Sequence, residues 1–170
     1  MVATLSEKEL FMEKNETSIA NMTQQIIREA DVLYEFVLKY AASMNLSKDY
    51  GTGEKLNMIE AHLLTYIDDH PGITGSELAR MWGRTKGAIS QQIKKLVSRG
   101  LVVRKKQSNN AKTILLYVSE KGKEVSFAHK MHDMQDIAQT LTFLLTTCSL
   151  EEIAAFYKVM RSYISILDES

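Results

Sequence analysis

Between Pro71 and Ser119 the chain repeatedly ends one structure and starts another, and this punctuation constrains its fold more than any other feature. Pro71 is the only proline and follows Asp69-His70, so a helix arriving from upstream must end there. Thr74-Gly75-Ser76-Glu77 reads as a capping box, in which a hydroxyl and a carboxylate satisfy the open amides of a new helix. That helix is short and stops near Trp82-Gly83, and Thr85 can cap a second one running to about Ser98. Gly100 suits the left-handed position after it. Two runs rich in β-branched and aromatic residues follow, 101–105 and 113–118, joined by a polar connection over 106–112.

The flanks are helical. Ile19, Met22, Ile26, Ala30, Leu33, Val37, Tyr40, Ala41 and Met44 recur at threes and fours, predicting a long helix over 17–44. Gly51-Thr52-Gly53 breaks the chain before a helix over 54–69. Ser119 caps a helix over 120–147, and a second capping box, Ser149-Leu150-Glu151-Glu152, opens a last helix ending near Leu167. The expected architecture is therefore mainly α with a small β-hairpin wing. It divides into an N-terminal arm (1–16), a dimerisation helix and linker (17–53), a winged helix-turn-helix (54–118), and a long helix plus C-terminal dimerisation helix (119–170). The dimer follows from surplus apolar surface. The last helix alone offers Ile153, Phe156, Tyr157, Met160, Tyr163, Ile164 and Leu167, more than a winged helix needs for its own core. A helical cap folding back on its own domain is the alternative.

Charge points to a polyanion. The formal net charge is zero, yet ten of the 21 Lys and Arg residues lie between Arg80 and Ser119, a window with no Asp or Glu. The remaining residues carry all 21 acidic side chains. A helix can enter the major groove only if one face packs on its own domain and the other is small or polar. In the helix after Thr85, Ile89, Ile93 and Leu96 point inward, leaving Lys86, Gly87, Ser90, Gln91, Lys94 and Lys95 outward. Gly87 allows close approach, Gln91 can pair bidentately with adenine, Ser90 can reach a base edge or phosphate, and the lysines can neutralise phosphates. Arg84 and Thr85 stand at the start of this helix, and Lys105, Lys106 and Lys112 would project from the hairpin tip. Double-stranded DNA is the expected partner. A winged-helix adaptor that contacts only protein is the competing reading.

The runs Ile73-Thr-Gly-Ser-Glu-Leu-Ala, Thr85-Lys-Gly-Ala-Ile-Ser-Gln, Gly100-Leu-Val and Val118-Ser-Glu-Lys-Gly122 resemble the MarR (multiple antibiotic resistance regulator) family. That resemblance implies a homodimeric transcription regulator, mostly a repressor, that binds a pseudo-palindromic operator and releases it when a ligand, oxidant or metal binds. It also implies a recognition helix at 85–98 and a wing at 104–113. One departure stands out. The family's wing usually carries Asp-x-Arg, and the matching positions here are Asn110 and Lys112. A lysine loses the planar fork of arginine, and the salt bridge within the wing loses its acid.

Three effector candidates remain open at this level. His129, His132, Asp133 and Asp136 share a face of the fifth helix, and His62 could join them around a metal ion, with Glu60 near it in sequence. Zinc-responsive members of the resembled family use histidines in comparable helices. Cys148, the only cysteine, could sense oxidants, and its solitude excludes an intramolecular disulfide. A small organic molecule could lodge against the methionine- and tyrosine-rich helices. No metal is assigned as a resident group and no cofactor is expected. No glycine loop, paired-carboxylate motif or nucleophile–base spacing suggests an enzyme. Without a secretory leader pattern or a membrane-length apolar run, a cytoplasmic protein is expected.

Overall fold

The computed structural model describes residues 7–108 and 110–168. Six helices and two small antiparallel ribbons follow the order α1 (Glu7–Met44), β1 (Lys48–Asp49), β2 (Lys55–Leu56), α2 (Met58–Asp69), α3 (Gly75–Met81), α4 (Lys86–Ser98), β3 (Val102–Gln107), β4 (Asn110–Val118), α5 (Glu120–Leu144) and α6 (Leu150–Asp168). The chain divides into two units, 1–46 and 47–170.

The first unit is α1. It contains neither glycine nor proline over its 38 residues, so nothing in its backbone interrupts it. It begins at Glu7, ten residues before the apolar stripe, so much of the expected arm is helix. Polar turns carry good helix formers but no periodic signal. Its large apolar side chains, from Ile19 to Tyr40, are 41–71% exposed.

The second unit opens with a ribbon that the sequence reading misses. β1 pairs with β2, and the Asp49 carboxylate caps the turn by accepting the amides of Gly51, Thr52 and Gly53 at 2.9–3.0 Å. Gly51 and Gly53 hold φ of 92° and 76°, a region side chains disfavour, which is why this turn is glycine-rich. Asn57 then caps α2 in a capping box with Glu60, moving the helix start to Met58. The Thr74–Glu77 capping box opens α3, Thr85 caps α4 through the Ala88 amide, and Ser119 caps α5 through the Gly122 amide.

β3 and β4 pair from Val102↔Val118 to Lys106↔Ile114, with an irregularity before Gln107↔Asn110. The hairpin is longer and its tip shorter than the polar connection suggests, because backbone pairing continues through Lys106 and Gln107 to Asn110. On its other side β4 meets the segment before α3. The Gly72 amide donates to the Leu116 carbonyl at 2.8 Å, and the Leu116 amide donates to the Ile73 carbonyl at 3.0 Å. That bridge makes the hairpin part of the domain instead of an appendage.

The core is confined to the middle of the chain. Leu56, Leu63, Leu64 and Ile67 meet Leu78, Ile89, Ile93, Leu96, Leu101, Leu116 and Val125, all buried. α5 joins this core only through its first half. Gly122 lies so close to the Leu101 carbonyl and the Val118 side chain that a Cβ there would overlap both. The side chains of α6 are all exposed or half-buried, including Phe156, Tyr157, Tyr163 and Ile164 at 51–56% exposure.

Candidate nucleic-acid interface

α4 divides its sides cleanly. Ile89, Ile93 and Leu96 are buried, while Lys86, Gly87, Ser90, Gln91, Lys94 and Lys95 are exposed, with Arg84 and Thr85 exposed just ahead of them. Three to four residues separate the buried anchors, so the helix rests on one stripe and presents the opposite one. A cavity of about 530 Å³ opens beside that stripe, lined by Thr74 and Ser76 at the start of α3, Lys86 and Ser90 of α4, and Lys112 and Thr113 of the wing. The recognition-helix candidate and the wing thus share one concave face. Thr74 and Ser76 were not expected there. Their hydroxyls read locally as capping and turn groups, and only the docking of α3 against α4 brings them to this wall.

The wing differs in detail from its sequence reading. Lys105 and Lys106 lie on β3 and Lys112 on β4, not on the tip. The Lys105 ammonium sits 4.9 Å from the centre of the Tyr117 ring, a cation–π contact that steadies it. At the Asp-x-Arg position the Asn110 carboxamide oxygen accepts the Lys112 amide at 3.1 Å. A neutral asparagine therefore shapes the turn. Among the described residues Lys112 has no carboxylate partner, and the same holds for Arg84, Lys86, Lys94 and Lys106.

Lys95 and Arg99 are different. Lys95 Nζ lies 3.3 Å from Glu60 Oε1, and Arg99 donates to Glu54 Oε2 from Nη2 at 2.6 Å and from Nε at 3.2 Å. Lys121 Nζ contacts the other oxygen of Glu54. The Lys121 and Arg99 hydrogen bonds hold the Glu54 carboxyl below the usual glutamate range.

Three of the metal-ligand candidates converge where α2 packs on α5. One ligand atom each from His62, His129 and Asp133 lies within 4.8 Å of the others. His129 Nε2 is 3.4 Å from Asp133 Oδ1, and His62 Nε2 is 3.8 Å from Asp133 Oδ2. His129 is 2% exposed, yet neither of its ring nitrogens makes a hydrogen bond. Burial pushes the His129 imidazole below its usual pKa, outweighing the pull of Asp133, a shift toward the neutral form that a metal ion binds. His132 does not join the cluster. Its Nδ1 lies 3.5 Å from Asp136 Oδ2, and Lys48 approaches the same carboxylate at 3.8 Å. Tyr50, carried by the glycine-rich turn, stands edge-on to both His129 and His132. Glu60 faces α4 and is remote from this chemistry. Cys148 is half-buried beside Thr147 and precedes the Ser149–Glu152 capping box.

A helix-turn-helix whose hairpin is tied into the same small sheet, with a cationic helix face and wing around one groove, defines a winged helix-turn-helix protein. Residues 55–113 match the model of the MarR family. Over 113 residues the chain is 26% identical to the HTH-type transcriptional regulator YhjH of Bacillus subtilis (strain 168), an alignment that covers 65% of each protein, so the chain spans about two thirds of that relative's length. Its fold is similar to that of FabT from Streptococcus pneumoniae in complex with DNA, with a TM-score of 0.62 at 20% identity over 86% of this chain and 98% of that one. It is also similar to ZitR, a zinc-responsive MarR family member of Lactococcus lactis, with a TM-score of 0.60 at 20% identity over 85% of this chain and 97% of the other. At these identities the likeness is one of fold. The matched residues run from β2 into β4, so the resemblance to the MarR family rests on the winged helix-turn-helix.

Proposed function

We propose that this protein is a MarR-family regulator that works in the cytoplasm as a homodimeric repressor, binding a pseudo-palindromic operator and releasing it when an effector binds. One observation carries the DNA reading. The exposed side of α4 and the wing line a single groove, and its cations, Lys86 and Lys112, have no acidic partner among the described residues. Lys86, Lys94, Lys105, Lys106 and Lys112, with Arg84 and Thr85, position the protein on phosphates. Ser90 and Gln91 read base edges, and Gly87 admits the duplex closely. Thr74 and Ser76 add backbone contacts from the far wall. The exposed apolar faces of α1 and α6 support the dimer, since surfaces of this size are ordinarily covered by a partner. A two-fold pair would set the two α4 helices about 34–36 Å apart, one turn of DNA.

Sequences selected from random duplex DNA test this. An inverted repeat should emerge. For six to ten phosphates neutralised, affinity should fall by about 10³–10⁵ between 50 and 200 mM salt. Lys94→Glu should abolish binding. Salt-insensitive capture of a protein partner, with no duplex preference, would favour the adaptor reading instead.

The effector we assign is a divalent first-row metal ion held by His62, His129 and Asp133. Two imidazoles and a carboxylate suit such an ion, with water completing the shell, and the unpartnered nitrogens of buried His129 are what favours this over Cys148 or an organic ligand. The likeness in fold to a zinc-responsive member agrees with it. Because α2 belongs to the winged helix and α5 leads out of it, an ion joining them would restrain one against the other. In DNA-free protein, zinc at a hundredfold excess over Kd should stabilise the fold by about 2.7 kcal/mol, and His129→Ala or His62→Ala should remove that gain. Equal stabilisation of both variants would remove the site, and an operator affinity indifferent to saturating metal would remove its role as effector.

A further inference from the structure

The cationic window contains a second population of charges, and it is turned inward. Glu60 is 6% exposed, and its carboxylate meets two cations of the α4 C-terminal turn, Lys95 Nζ at 3.3 Å and Arg99 Nη1 at 3.7 Å. Glu54 engages the same guanidinium through two donors, and Arg99 Nη2 also donates to the Lys55 carbonyl at 2.7 Å. Lys121, from the first turn of α5, closes the group on Glu54 and approaches the Arg99 carbonyl at 3.4 Å. Two acids from the β2–α2 corner thus grip the end of the recognition helix.

We propose that Glu54 and Glu60 form a carboxylate clamp that withholds Lys95 and Arg99 from DNA and fixes the pitch of α4, leaving Arg84, Lys86 and Lys94 as its phosphate-binding cations. The inference rests on the DNA reading above and concerns which cations serve it. Weakening the pairing of a buried carboxylate is costly, and moving Lys95 to a phosphate would leave Glu60 only the longer Arg99 contact at 3.7 Å and the Asn57 amide. Arg99 is held more firmly still. It caps α4 immediately before Gly100, whose φ is 71°, and it spends its Nε and Nη2 donors on Glu54 and the Lys55 carbonyl. Lys94, one residue from Lys95, is exposed with no such partner among the described residues. Neighbours in sequence therefore have opposite assignments, about 100° apart around the helix.

The test is the slope of log affinity against log salt on the selected operator. Lys94→Gln should flatten it by about 0.9 for each protomer, a change of about 3.5-fold in affinity between 50 and 200 mM salt. Lys95→Gln should leave it unchanged. Glu60→Gln, which keeps an oxygen for the Asn57 amide, should steepen the slope by about 0.9 for each protomer by freeing Lys95, and adding Lys95→Gln should cancel that gain. A fold defect alone would not produce this crossed pattern. A Lys95→Gln slope as shallow as that of Lys94→Gln overturns the clamp, as does a Glu60→Gln slope equal to the wild type. Should Glu60→Gln not fold, the Lys94 and Lys95 pair decides the matter alone. A wild-type protein without salt-dependent duplex binding overturns the DNA reading, and this inference with it.

Discussion

The winged-helix body and the outer helices follow the same amphipathic logic to opposite ends. From Leu56 to Val125 the apolar residues find one another within the chain, and Leu56, Leu63, Leu64, Ile67 and Leu96 retain no exposed surface. In α6, with the same helical spacing and similar residue types, no side chain is buried. The difference lies in what each stripe has to meet. α2, α3, α4 and the hairpin close around a shared centre, whereas the α6 stripe faces open solvent until another surface covers it. A sequence can therefore be finished in one region and await its partner in another.

Substitutions that separate the two regions sharpen that contrast. Leu64→Ala, in the closed core, should cost about 2–5 kcal/mol of unfolding free energy, measured by chemical denaturation. Ile164→Asp, on α6, should weaken self-association by on the order of 2 kcal/mol in sedimentation experiments, as loss of a buried anchor does. It should leave the stability of the dissociated body within about 0.5 kcal/mol. If Ile164→Asp destabilised the monomer as much as the core substitution does, α6 would be part of the body and the contrast would fail. Thr85→Ala, removing the cap of α4, should cost about 1 kcal/mol and loosen the start of that helix without dissociating anything. The smallest effect concerns pH. Because the folded Glu54 carboxyl is held below its usual 4.5, its ion pairs stabilise the fold above that pH. The contribution is lost as pH falls through the lowered value. Glu54→Gln should shrink that acid-side slope of stability, and an unaltered pH profile would show that the Arg99 and Lys121 contacts carry no weight.

What could be read from the sequence follows the range of the interactions involved. The caps at Thr74, Thr85, Ser119 and Ser149 each satisfy amides within three residues, so local pattern suffices to place them. The buried stripe of α4 was equally legible, because helical spacing alone separates Ile89, Ile93 and Leu96 from Ser90 and Lys94. Three features escaped for contrasting reasons. The β1–β2 ribbon has only two residues per strand, too few for any alternation. The first turns of α1 lack the apolar period that marks the rest. The ion pair of Lys95 is invisible along the chain because its acid partner, Glu60, lies 35 residues away on another helix. The metal cluster shows the same limit in part. The spacing of His129 and Asp133 was visible along α5, and His62 was a reasonable third member. The diversion of His132 to Asp136 depends on side-chain placement that no periodicity encodes.

Chemical footprinting of the selected operator tests the central claim most directly, because it sees the cationic face and its two-fold repetition at once. The account predicts two symmetry-related windows of major-groove protection, with centres about 10–10.5 base pairs or a multiple apart, flanked by contacts from the wings, all lost in Lys94→Glu. A single unsymmetrical patch, or protection that survives Lys94→Glu, would contradict it.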